Sequence, residues 1–221
     1  MESKLQLQKN ANVLSADGRQ VGSIDRVVLN PHTKVVTHIV VRKSHLFNKE
    51  EKVVPIDMVA RTTEEEIDLR NEVGDLESSP PFEEKRFVRE TGEVDLPTIP
   101  PGAPPVIYGS SVLGTPLHPV ETEKFVTEIE QNIPKGTVAL KEGAAIITLE
   151  GKHAGHVERV LADVPADRAT HLLVSSGMLT KEKKLIPIKW VDMIDENEVY
   201  LSVEKEELDK LSDISVTADE K

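Results

Sequence analysis

The chain has seven histidines and no cysteine, and that inventory bounds the chemistry open to it. His38 and His171 each follow a threonine inside an aliphatic run, "KVVTHIVVR" from Lys34 and "RATHLLVSS" from Arg168. Two such pairs could be halves of one catalytic or metal site. That would require the runs to face each other and to bring carboxylates or further histidines as ligands. On an extended strand His38 shares a face with Val36 and Val40, and His171 with Ala169 and Leu173. This predicts histidines packed in a strand, with ring nitrogens bonded to a neighbouring strand or loop. His153 and His156, in "GKHAGH", are spaced closely enough to chelate a metal, and equally suit a solvent-facing pair beside a glycine turn. The run Glu64-Glu65-Glu66 reads as a solvated turn before a strand. The sequence has no nucleophile elbow, phosphate loop or dinucleotide fingerprint, and no Ser, His and Asp placed as a triad. The expectation is a protein without catalytic residues, cofactor or resident metal, with His153 and His156 as the metal candidates.

The elements that carry these residues are duplicated. Shifting the chain by 133 positions places Gly18 on Gly151, Gly22 on Gly155, Arg26 on Arg159, and Thr37-His38 on Thr170-His171. Aliphatic positions follow, Ile24 on Val157, Val27 on Val160, Ile39 on Leu172 and Val41 on Val174. After a loop one residue shorter in the second copy, the shift becomes 132. It then matches "VVPIDMV" from Val53 to "LIPIKWV" from Leu185, and "IDL" at Ile67 to "VYL" at Val199. Each copy spans about 65 residues, the size of a small domain.

Each copy reads as β. Asp17-Gly18 lies between short apolar runs, as in a hairpin, where glycine tolerates positive φ. "SIDRVVL" is a strand, "NPHT" a turn, and Lys34–Arg42 a β-branched run too short for a convincing helix. The pattern predicts small antiparallel barrels or sandwiches. A short helix follows at "VEKEELDKL", where Leu208 and Leu211 share a face and Leu76 is the counterpart of Leu208.

The stretches "GRQVGSIDRVVLNPHTKVVTHIVV…VVPIDMV…IDL" and "GKHAGHVERVLADVPADRATHLLV…LIPIKWV…VYL" resemble the PRC-barrel family, over about two thirds of the chain. The resemblance implies a small β-barrel used as a docking module, as in the photosynthetic reaction-centre H subunit and in ribosome-maturation factors. It implies no catalytic residues.

The loop between the Thr-His and Ile-Pro strands reads "KSHLFNKEEK" in the first copy and "SGMLTKEKK" in the second. His45, Leu46, Phe47, Met178 and Leu179 are the candidate partner contacts, because apolar loop residues bounded by charge suit binding. The competing reading has Leu46 and Leu179 folding back to plug the ends of their barrels. Ten of the 14 prolines fall between Pro80 and Pro134, so "LPTIPPGAPP" reads as an extended spacer or a ligand for a proline-recognising domain. Beyond Glu121, "EKFVTEIEQNI" and "GTVAL" are expected to add strands or a short helix to the second barrel; Phe125, Thr127 and Ile129 alternate, while Phe125, Ile129 and Ile133 suit a helix.

The net charge of −12 is uneven, −1 over residues 1–76, −5 over 77–140 and −6 over 141–221. This argues against DNA, makes RNA a poor partner, and leaves the first copy as the place where an anionic partner is plausible. No stretch approaches the roughly 20 apolar residues of a membrane helix, and "MESKLQLQKN" lacks the apolar core of a signal peptide. The sequence therefore predicts a mainly β, cytoplasmic chain. The first PRC-like barrel is expected at 1–76, a Pro-rich linker at 77–120, the second barrel at 121–211 with short helices closing the repeats, and an acidic tail at 212–221. The expected role is an adaptor for protein partners, by two separate barrels or by a barrel–barrel pseudo-dimer, with self-association also open. The alternatives are a ribosome- or RNA-associated factor and a metal- or ligand-binding protein.

Overall fold

The computed structural model describes residues 4–8, 11–43, 50–63, 65–70, 73–89, 125–163, 166–176 and 182–214. The chain is mainly β. It runs through β1 (Lys4–Gln8), β2 (Asn12–Leu14), β3 (Gln20–Leu29), β4 (Val36–Arg42), β5 (Glu51–Pro55), β6 (Val59–Thr62) and β7 (Glu66–Leu69) to helix α1 (Val73–Ser78). Next come β8 (Glu83–Arg89) and β9 (Phe125–Gln131), which pair with each other, and residues 84–130 make up a compact unit of their own. Then follow β10 (Val138–Lys141), β11 (Ala145–Ile147), β12 (His153–Asp163), β13 (Arg168–Ser176), β14 (Glu182–Pro187), β15 (Val191–Ile194), β16 (Glu198–Leu201) and helix α2 (Lys205–Asp209). Both repeats lie in the other compact unit. Phe125–Gln131 is therefore a strand, following the alternating pattern.

The two repeats have the same topology. The strand orders are β5-β4-β3-β2-β7-β6 and β14-β13-β12-β11-β16-β15, with β2–β7 and β11–β16 parallel and the other pairs antiparallel. The expected closed, all-antiparallel barrel is not found among the described residues. The reason lies at the Ile-Pro corner, where a short 3-10 turn (Ile56–Met58, Ile188–Trp190) bends the chain without reversing it. β5 and β6 thus run in the same sense and do not pair. The outer edge of β5 is taken instead by Pro80–Phe82 (Val53 N–H to the Pro80 carbonyl, 2.9 Å; Phe82 N–H to the Glu51 carbonyl, 2.8 Å). In the second repeat Ile214 N–H donates to the Lys183 carbonyl at the matching place (2.8 Å). Covering an edge strand satisfies backbone groups that would otherwise recruit another chain.

The strands preceding the repeats are exchanged. β1 pairs with β12 of the second repeat, and β10, expected to join the second repeat, pairs with β3 of the first. The registers match under the 133-residue shift: Leu7 lies opposite Val160, and Leu140 opposite Val27. Val35 bridges Arg168, its own counterpart, with Val36 N–H donating to the Asp167 carbonyl (2.7 Å) and Ala169 N–H to the Lys34 carbonyl (2.8 Å). Lys34 and Asp167, the two non-glycine residues with positive φ among those described (61° and 47°), are also counterparts. A contact of equivalent residues across an axis is the signature of a two-fold interface. Leu7, Ile24 and Val27 meet Leu140, Val157 and Val160 around a void of about 10 Å³. The duplication is therefore built as an internal pseudo-dimer with one continuous aliphatic core.

Gly22 and Gly155 have a packing role. A Cβ at these positions would lie 2.5 Å from the Arg42 carbonyl oxygen and 2.4 Å from that of Ser175, so only glycine lets β3 and β12 approach their neighbours.

Candidate functional site

The Thr-His pairs are explained by the backbone. Thr37 is the extra residue of a bulge between β3 and β4, and Thr170 occupies the same place between β12 and β13. Their hydroxyls donate to the Val28 carbonyl (3.4 Å) and the Leu161 carbonyl (3.2 Å). The bulge also breaks the alternation assumed from sequence. Val36 and Ala169 turn into the main core, while Val40 joins the outer cluster of Val28, Val53, Phe82 and Ala139. His38 is half-buried and its Nδ1 has no hydrogen-bond partner, contrary to the bonded ring expected. Burial pushes its imidazole below the ordinary value of 6.5, with Asp57 pulling weakly upward.

Charge is concentrated where β4 ends in the first repeat. Asp25, 3% exposed, accepts from the Arg42 guanidinium and pairs with Arg26 at 3.2 Å. Arg42 also meets Glu51 (3.2 Å), and Arg26 reaches across the pseudo-axis to Glu196. The Arg26 guanidinium lies 4.7 Å from the centre of the buried Phe82 ring, a cation–π contact. Lys43 is buried and pairs with Glu77 (2.7 Å) and Glu50 (3.5 Å). Burial lowers its ammonium pKa, but Glu77 and Glu50 outweigh that and hold it above its ordinary value.

The second repeat has the same scaffold without those cations. Ser175 and Ser176 replace Arg42 and Lys43, and a cleft of about 890 Å³ opens between β12, β13, β14 and α2. His153, His156, Glu158, Glu182 and Asp209 line it. Glu158 pairs with Lys183 (2.8 Å) and Asp209 with Lys184 (3.5 Å). The His153 and His156 rings are 4.6 Å apart at their centres and tilted by 57°, with His156 Nδ1 3.1 Å from the Gly143 carbonyl oxygen. The histidines flagged from sequence thus meet inside the cleft. Among the described residues no group of three or more His, Cys, Asp or Glu side chains is arranged to hold a metal.

His45, Leu46, Phe47, Met178 and Leu179 lie outside the described residues, as do Glu64, "LPTIPPGAPP" and the tail beyond Ile214. Sequence reasoning missed the cluster of ion pairs at the end of β4 and its open counterpart in the second repeat. The available signal was Arg42-Lys43 aligned on Ser175-Ser176 inside an otherwise matched strand. No helix among the described residues is long and apolar enough to cross a membrane. No family model matches the chain, and no curated protein matches it.

Proposed function

We propose that this chain is a non-enzymatic, cytoplasmic adaptor of the PRC-barrel class whose repeats dock protein partners. The observation that carries the reading is a contrast between copies. Among the described residues of the two repeats, the exposed large apolar side chains are Leu149 (65%), Met193 (51%) and Ile214 (38%), all in the second. The first repeat has the small Ala16 and the charged Arg61 at the positions of Leu149 and Met193, and the buried Phe82 at that of Ile214. The turn glycines, the bulge threonines and most aliphatic core positions keep their residue types in both copies. Among the described residues, solvent-facing positions of the second copy alone carry large apolar side chains, the residue types that anchor a partner when buried at an interface. The internal pairing of the repeats also supports a single body that presents two different faces. The loops carrying His45, Leu46, Phe47, Met178 and Leu179 are the second proposed contact.

The test is affinity capture from native lysate, with and without the membrane fraction. The baits are wild type, Leu149→Asp/Met193→Asp and Leu46→Ser/Leu179→Ser, each with its unfolding midpoint recorded. A partner retained by wild type and lost by a folded variant supports the adaptor and locates its surface. No specific partner in either fraction overturns it, and salt-sensitive RNA binding would move the reading to the ribosome-associated alternative.

A further inference from the structure

The first repeat shows what the second repeat's cleft lacks. Arg42 and Lys43, neighbours at the end of β4, hold their cationic groups against Asp25, Glu51, Glu50 and Glu77. Three of those four acids persist in the second repeat as Glu158, Glu182 and Asp209, all lining the cleft, while both cations have become serines. Glu51 alone is reversed, to Lys183, which now pairs with Glu158. Glu182 makes no ion pair among the described residues, while Asp209, its side chain 63% exposed, pairs with Lys184 at 3.5 Å, and Lys184 and Lys205 also line the cleft. Val157, Ile186 and Leu208 add apolar lining. Long basic side chains bury their methylene stems on such surface while the charged head meets carboxylates.

We infer that the cleft of the second repeat is the docking site for a basic segment of a protein partner, one presenting adjacent arginine and lysine side chains where Arg42 and Lys43 lie in the first. The inference rests on the adaptor reading and gives its partner a chemistry. The occupant is a polypeptide because the two cations being replaced are chain neighbours, so one extended segment delivers both at the right spacing. The cleft volume falls within the range of about 300–1,000 Å³ of ligand-binding pockets. The acidic balance of residues 141–221, net −6, draws a basic segment to this side of the molecule.

The experiment is an NMR titration of the ¹⁵N-labelled full chain with the capped peptide Gly-Arg-Lys-Gly. The controls are the capped peptide Gly-Gln-Gln-Gly and spermidine. Two variants are compared, Ser175→Arg/Ser176→Lys, which fills the cleft, and Glu182→Gln/Asp209→Asn, which removes carboxylates; circular dichroism verifies their folds. The Arg-Lys peptide is expected to shift the amide resonances of His156, Ser175 and Ser176, with affinity falling about tenfold in each variant and no binding of the glutamine peptide. Absence of shifts in the cleft, undiminished binding by both variants, or binding of the glutamine peptide as strong as that of Arg-Lys overturns the proposal. Spermidine binding as tight as the peptide also overturns it, in favour of a polyamine site. In the capture assay, a partner held equally by wild type and Ser175→Arg/Ser176→Lys overturns the cleft proposal and leaves the adaptor standing. Peptide binding with no captured partner supports the cleft chemistry and overturns the adaptor.

Discussion

Leu7→Ala tests the exchanged strand directly, because the single tryptophan, Trp190, reports from the other repeat. Leu7 is 2% exposed and packs with Ile24, Val27, Leu140, Val157 and Val160 at the pseudo-axis. Truncating a buried leucine costs about 2–5 kcal/mol, the transfer loss plus the cavity left behind. With a urea slope of about 2 kcal/mol/M, a loss of about 3 kcal/mol lowers the midpoint by about 1.5 M. The assay is urea unfolding followed by Trp190 fluorescence. If β1 belongs to the second repeat's sheet, Leu7→Ala moves the Trp190 transition, and Leu140→Ala destabilises the first repeat in turn, read by hydrogen exchange of β3 amides. The double variant is expected to depart from additivity by about 0.5–3 kcal/mol, since the two side chains line one void. A Trp190 midpoint unchanged in Leu7→Ala, with the loss confined to the first repeat's amides, would refute the exchange.

Three other perturbations follow from the packing and charge. Gly22→Ala is expected to lose about 1–3 kcal/mol by overpacking against the Arg42 carbonyl, measured as a lowered urea midpoint; an unchanged midpoint would contradict the close approach. Asp25→Ala removes the carboxylate shared by Arg26 and Arg42, which keep Glu196 and Glu51, and is expected to cost about 1.5–3 kcal/mol. A loss below about 1 kcal/mol in thermal unfolding would mean the network contributes little. His38 takes up its proton at lower pH when folded than its ordinary 6.5, so the unfolded chain protonates first and stability is lost as pH falls through that value. Unfolding at pH 7.5 and 5.5 should show a drop that His38→Gln reduces, and equal drops in the two proteins would remove His38 as the cause.

Much of the local structure was legible because local chemistry forces it. Asp17-Gly18 makes its turn with Gly18 at φ 78°, the aliphatic runs are strands, and Leu76 and Leu208 anchor the short helices in the core. The facing of His38 was misjudged because one inserted residue, Thr37, inverts the alternation on one side of it, and a bulge leaves no distinct signal in a β-branched run. Strand size and spacing fit a barrel or a sandwich alike and the family resemblance implies a barrel, whereas the 3-10 corner at Ile56–Met58 and the edge cover by Pro80–Phe82 leave the sheet open among the described residues.

The sequence by itself determined the duplication, the mainly β character and the glycine turns, since turns depend on a few residues adjacent in the chain. Tertiary structure alone decided that β1 and β10 change places. Backbone hydrogen bonds pair any extended segment with any free edge, so "KLQLQ" and "VALK" contain nothing that selects one sheet over its duplicate. The same holds for the cleft. Its carboxylates come from β12, β14 and α2, and only folding brings them around the space that Ser175 and Ser176 leave open.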